Sequence, residues 1–216
     1  ISFKNVSKRY PDGYVALNNI DLSVEPGEMV FLTGHSGAGK STLLKLIAAI
    51  ERPTSGTITI SGQNIAQLKL GAIPYLRRKI GFIFQDHKLL FDRNVFDNVL
   101  LPLQIGSFEN HMMVSRVRAA LDKVGLLKKE KSMPIALSGG ERQRLCIARA
   151  VVHRPSILIA DEPTGNLDVD YARDIMAMFT SFNQVGVTVL IATHDASLLE
   201  DTQHRVLSLK QGKLAA

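Results

Sequence analysis

The sequence contains no tryptophan, a single cysteine and only 6% aromatic residues. With so few rings, a platform on which single-stranded nucleic acid stacks is disfavoured. Cys146 alone cannot close an intramolecular disulfide, and no Cys/His cluster has the ligand spacing of zinc, a combination that suits a reducing compartment. Long apolar runs are also missing: stretches such as Val187 to Ala192, interrupted by Thr188, have the length of a strand and fall far short of a membrane span. Charges recur every few positions near the start, so no signal-peptide core fits there. Because the first residue is Ile1 rather than methionine, we expect a residue or two to be missing from the N-terminus.

What is present describes a folded chain. At 216 residues, with 45% hydrophobic and 21% charged, it is expected to form one domain, or one domain with an insertion. The formal net charge of +6 is unevenly placed, since 115–149 holds nine basic residues against three acidic ones. Such a region can face nucleic acid, anionic headgroups or a nucleotide phosphate, or can be a solvated helix face.

Ser2 to Val6 and Ile20 to Val24 alternate apolar and polar residues on either side of Pro11-Asp12-Gly13, and Gly56 to Ser61 reads the same way, so antiparallel sheet is expected near the start. Met29 to Leu32, Ile80 to Phe84, Ile157 to Ala160 and Val187 to Ala192 are continuously apolar, as strands covered on both faces of a parallel sheet are. Helical spacing links Val114, Val117, Leu121 and Val124, and again Tyr171, Ile175, Met178 and Phe182. Strands alternating with helices predict an α/β core, into which the strand-poor stretch from about Gln85 to Pro155 is inserted as a helical part.

Directly after Met29 to Leu32 comes Gly34-His35-Ser36-Gly37-Ala38-Gly39-Lys40-Ser41-Thr42, followed by the apolar run Leu43 to Ile50. This is the phosphate-loop spacing in its strand–loop–helix setting. The glycines let successive N–H groups converge on an anion, the helix N-terminus adds its dipole, Lys40 supplies a point charge to β- and γ-phosphates, and Ser41 offers a hydroxyl to magnesium. The strand Ile157 to Ala160 ends in Asp161-Glu162, two carboxylates at the edge where open parallel sheets bind ligands. Asp161 suits a magnesium shell, and Glu162 suits a general base for water. Gln85 and His194 follow two other apolar strands and reach the same edge.

A second anion-facing element is Leu137-Ser138-Gly139-Gly140-Glu141, which opens a helix traced through Leu145, Ala148 and Val152. Ser138 with Glu141 forms a capping box, which accounts for both residues but not for the two glycines. Adjacent glycines at a helix start permit close approach by an anion. Spacing leaves open whether that anion belongs to this chain's nucleotide or to a second subunit's.

In this order, Gly34 to Thr42, Gln85, Leu137 to Glu141, Ile157 to Glu162, Gly165-Asn166-Leu167-Asp168 and His194 resemble the ATP-binding-cassette ATPases over essentially the whole chain. His35 and Gln85-Asp86-His87 are similar to the bacterial cell-division branch of that family. Its lipoprotein-releasing and macrolide-export branches share the Ala160 to Asp168 motif.

The resemblance implies a phosphate-loop nucleotide-hydrolase core with a mainly parallel sheet and an N-terminal antiparallel β part, over 1–84 and 156–216, and a helical subdomain over 85–155. It implies ATP and Mg²⁺ as ligands. Two copies would pair head to tail on ATP, with Ser138, Gly139 and Gly140 closing on the γ-phosphate at the partner's Lys40. Tyr10 would stack on adenine, Gln85 would join the magnesium and water shell, Asp168 would lie in the loop that crosses the dimer, and His194 would touch the γ-phosphate. Glu141 stands where much of the family has glutamine, a change that the capping box tolerates.

The resemblance further implies an integral-membrane partner of the FtsX type, gripped near Gln85 and the helical part at the cytoplasmic face of the bacterial inner membrane, with no specific nucleic acid. The competing expectations are the energy subunit of an exporter and a soluble cassette acting on nucleic acid.

Overall fold

The structure is a computed structural model that describes residues 1–106, 108–165, 167–195, 198–199 and 202–215. Asn166 of the motif above lies outside the described residues.

Two sheets form the frame. Strands β1 (Ser2–Arg9), β2 (Val15–Ser23), β4 (Ser55–Ile60) and β5 (Gln63–Asn64) make an antiparallel sheet in the order β2-β1-β4-β5. The second sheet runs β10-β9-β3-β8-β7-β6, from β3 (Met29–Thr33), β6 (Ile80–Ile83), β7 (Ile157–Asp161), β8 (Thr188–Thr193), β9 (Arg205–Lys210) and β10 (Lys213–Leu214). All of its pairings are parallel except β10 on β9. The α/β class with an antiparallel part and a helical part is what the motif order predicts.

The apolar runs are explained by what covers them. In β3, Met29 and Phe31 face a core shared with the helices, while Val30 and Leu32 face the antiparallel sheet and the first helix; β7 and β8 divide in the same alternating way. Helix α1 (Lys40–Ile47) lies in the second core. After α2 (Ile73–Arg77), the helices α3 (Val95–Ile105), α4 (Asn110–Lys123) and α5 (Gly139–Val151) follow between β6 and β7, and α6 (Val169–Gln184) follows β7.

Two helical stripes differ from expectation. In α4 the buried residues are Met113, Val117, Ala120 and Leu121, whereas Val114 is 47% exposed. In α6 they are Ala172, Ile175 and Phe179, with Met178 and Phe182 only partly covered. Tyr171 leaves the core stripe because its ring packs on Gly140 at the start of α5.

Candidate nucleotide site

The β3–α1 junction is built by backbone geometry. Gly39, the N-cap of α1, has φ +107°, and a Cβ there would collide with the Ala16 carbonyl and the Leu17 side chain, so the loop is compact only with glycine. Lys40 is folded back over the loop, with Nζ donating to the Gly34 carbonyl at 2.6 Å. The loop floors a cleft of about 650 Å³, within the range of small-molecule sites, to which Gln85, Glu162 and His194 also contribute. The strand order explains the meeting: β3, β8, β7 and β6 are neighbours, and their carboxyl ends deliver the loop, His194, Glu162 and Gln85 to one edge.

Glu162 is the centre of a short polar chain. Its Oε1 lies 3.4 Å from Lys40 Nζ, and its Oε2 accepts from the His194 backbone N–H at 3.2 Å and contacts His194 Nδ1 at 2.8 Å. Its backbone is left-handed at φ +52°, which turns the chain sharply at the end of β7. Behind it, Asp161 is 6% exposed and its Oδ1 has no hydrogen-bond partner. Burial pushes the Asp161 carboxyl above the ordinary range; the Ser41 hydroxyl and the Lys45 and Lys40 cations pull it down, while neighbouring Glu162 adds to the rise.

A buried, unpartnered carboxylate oxygen beside a serine hydroxyl fits a hard divalent cation. No cluster of three His, Cys, Asp or Glu side chains is available among the described residues. A cation held by Asp161 and Ser41 would take its remaining ligands from groups outside that set, such as the Gln85 amide oxygen, phosphate oxygens and water.

Tyr10 and Tyr14 are stacked, with ring centroids 6.4 Å apart. Tyr10 Oη lies 3.3 Å from Thr42 Oγ1, while Tyr14 lines the cleft and donates to the Gly37 carbonyl at 2.8 Å. Tyr14 matches no motif in the sequence; the turn at Pro11-Asp12-Gly13, closed by Tyr10 N–H to the Tyr14 carbonyl at 2.8 Å, is what folds the two rings together. Ser208 and Lys210 of β9 also line the cleft without a sequence signal, because parallel pairing of β9 with β3 brings them there.

Ser138, Gly139 and Gly140 are not among the residues lining this cleft. The capping box is formed: Ser138 Oγ accepts from the Glu141 N–H at 3.2 Å, and Glu141 Oε2 accepts from the Ser138 N–H at 3.1 Å. The two glycines differ. A Cβ on Gly139 would meet nothing within 4 Å, whereas one on Gly140 would approach the Tyr171 ring to 2.8 Å. Asp168 caps α6 by accepting from the Tyr171 N–H at 3.0 Å, so the starts of α5 and α6 are tied together.

Of the basic excess in 115–149, much is engaged internally. Arg118 pairs with Glu130 and Lys129 with Glu141, while Arg144 lies over the Tyr171 ring. Arg149 donates from Nη2 to the His87 carbonyl at 2.5 Å and from Nη1 to the Lys88 carbonyl at 2.7 Å. His87 and Lys88 are both left-handed, at φ +61° and +46°, so α5 clamps a strained turn directly after Gln85.

Beside that turn lies a second concavity of about 510 Å³, lined by Ile80 and Phe82 of β6, by Phe84 just after it and by Leu101 and Ile105 of α3, together with Lys88 and Arg149. No helix among the described residues is long and apolar enough to cross a membrane.

Comparison with known proteins agrees with this geometry. A family model described as ABC transporter matches residues 17–165. The chain is 57% identical over 214 residues to the cell division ATP-binding protein FtsE of Escherichia coli K12, covering 99% of this chain and 96% of that protein. It is 44% identical over 212 residues to FtsE of Bacillus subtilis, covering 98% and 93%. Among solved structures it resembles the dimeric bacterial ABC transporter cassette MJ0796 with a TM-score of 0.92 at 35% identity, covering 100% of this chain and 96% of that one. A dimeric post-hydrolysis state of the same cassette, bound to ADP and Pi, gives 0.91 at 34% identity with the same coverage.

Proposed function

The chain belongs to the ABC transporter family of ATPases, and from that premise we propose that it is the ATP-hydrolysing subunit of a cell-division complex, driving an integral-membrane partner of the FtsX type. One observation carries the coupled reading. Gln85 lines the nucleotide cleft, while its neighbours Phe84 and Lys88 line the apolar groove, so a segment seated in the groove bears on the chain that presents Gln85.

In this reading the loop from Gly34 to Thr42 cradles the triphosphate, and Lys40 exchanges its carbonyl partner for phosphate oxygens. Ser41, Asp161 and Gln85 hold Mg²⁺, which when bound neutralises charge on the β- and γ-phosphates. Glu162 takes the proton of the attacking water, and His194, already on the same carboxylate, holds the γ-phosphate side. Tyr10 stacks on adenine beside Tyr14. Two copies pair on ATP, a reading supported by the dimeric structures of the MJ0796 cassette, and Ser138 and Gly139 of one copy meet the γ-phosphate held by the other. The complex sits at the cytoplasmic face of the inner membrane, where closure of the dimer is passed to the partner and controls cell-wall hydrolysis.

Co-expression with an FtsX-type membrane protein tests this. ATP-dependent co-purification from detergent, with stimulation of ATPase, is expected. Selective capture of an exporter permease, or stimulation by nucleic acid at physiological salt, would reject the cell-division reading.

A further inference from the structure

We infer that Tyr171 is a positioning residue for the site of the other copy: its ring fixes the start of α5 against the start of α6 and so holds Ser138 and Gly139 where the partner's nucleotide meets them; the inference rests on the reading in which two copies pair on ATP.

The start of α5 has little to hold it in place. Ser138 and Gly139 are exposed, and a Cβ on Gly139 would have no neighbour within 4 Å. The capping box fixes the conformation of this turn but not its position, since both of its hydrogen bonds run between Ser138 and Glu141. Lys129 reaches Glu141 from outside, but the pair is open to solvent, and such ion pairs restrain little. The apolar core takes Leu137 before the helix and resumes at Leu145. Between them, the buried residue next to the exposed pair is Gly140, and what packs on Gly140 is the Tyr171 ring.

That ring is engaged by two residues of α5. A Cβ on Gly140 would approach its Cδ1 and Cε1 to 2.8 and 3.1 Å, so the helix backbone sits directly against it. One turn further on, the Arg144 guanidinium lies 5.4 Å from the ring centroid and reaches Asp174 of α6 at 3.8 Å. Gly140 and Arg144 are four apart on α5, and Tyr171 and Asp174 three apart on α6, so each pair shares a face of its helix. Behind the ring, α6 is tied down: its cap Asp168 accepts from the Tyr171 N–H, and Leu167 N–H donates to the Thr164 carbonyl at 3.2 Å. The Tyr171 hydroxyl makes no hydrogen bond among the described residues, so the ring alone carries the contact.

The test uses full chains carrying two different tags, so that mixed dimers can be isolated and phosphate release measured per dimer. One chain carries Glu162→Gln. Hydrolysis is then left to the site that the other chain builds with its Lys40 and Glu162 and that the first chain closes with Ser138 and Gly139. Tyr171→Ala in the Glu162→Gln chain is expected to lower phosphate release at least ~10-fold, because small displacements are costly even when they begin far from the reacting atoms. The same substitution in the other chain should leave the rate unchanged, an asymmetry that a loss of folding would not produce. Tyr171→Phe should match the parent in either place, and the isolated Tyr171→Ala chain should bind ATP as the parent does. Equal rates in the two arrangements, or a loss confined to the chain that supplies Glu162, overturns the inference and leaves ATP-dependent pairing standing. A loss with Tyr171→Phe also overturns it, by assigning the effect to the hydroxyl. If parent and Glu162→Gln chains form no dimer with ATP, the inference and the pairing reading fall together.

Discussion

Lys40 Nζ and Glu162 Oε1 face each other at 3.4 Å, with both side chains less than a tenth exposed. The cation that would hold phosphate is thus held beside the carboxylate that would accept the water's proton. Replacing Glu162 by Gln removes the proton acceptor at constant size and releases Lys40 from its counter-charge. ATP affinity should be retained or increased, while hydrolysis drops at least ~10²-fold. Nucleotide titration and phosphate release measure the two, and turnover close to the parent's would refute the role given to Glu162.

Asp161 makes a prediction of opposite sign for stability and activity. Its folded pKa lies above the unfolded value, so the cost of its buried charge is absent below the ordinary carboxylate range and complete above the raised value. Stability should therefore decline as pH rises through that window. Asp161→Asn should flatten the decline and, without nucleotide or metal, raise the neutral-pH melting temperature by about 2–4 °C for each kcal/mol recovered. The same variant should lose Mg²⁺-dependent hydrolysis. Parallel pH–stability curves for parent and variant would contradict the assignment.

Gly139 and Gly140 should separate cleanly. Gly140→Ala forces the Tyr171 ring aside and should lower the melting temperature, and Tyr171→Ala should relieve much of that loss in the double variant. Gly139→Ala has open space, so it should fold normally and weaken only ATP-dependent pairing, measured by light scattering. Equal destabilisation by both alanines would show that Tyr171 is not the constraint.

The Arg149 clamp can be read by protease. Lysine keeps the charge but lacks the guanidinium fork that reaches the His87 and Lys88 carbonyls together. Arg149→Lys should free the left-handed turn and speed tryptic cleavage after the exposed Lys88. An unchanged cleavage rate would mean that the turn holds itself.

Cys146 is buried, and desolvation raises its thiol pKa to about 12. Alkylation by iodoacetamide should be negligible in the folded chain at pH 8 and rapid in denaturant. Comparable rates in both conditions would show that this part of α5 opens readily.

How much of this the sequence revealed depended on whether a residue's role is local. The phosphate loop, Asp161-Glu162 and the Ser138–Glu141 box are legible because strand, turn and cap chemistry fix them within a few positions. Tyr14, Ser208 and Lys210 are brought to the cleft by a turn and by pairing of β9 with β3, partners far apart in the chain. Val114 and Tyr171 fit a helical period yet point elsewhere, since periodicity counts apolar residues without knowing which neighbour claims them. Gly140 shows the same limit: the constraint that the Tyr171 ring places on it in space has no signal in sequence.

The parallel register of β6, β7 and β8, with Ile83 opposite Ala160 and Asp161 opposite Ala192, gives the cleft a ruler made of main chain. Adjacent strands are spaced by roughly 4.8 Å whatever their side chains. The separations among the chain exits that carry Gln85, Glu162 and His194 are therefore set by the ladder rather than by core volume. Heating should then leave the geometry intact until the ladder itself breaks, so irreversible loss of ATPase should coincide with global unfolding instead of preceding it.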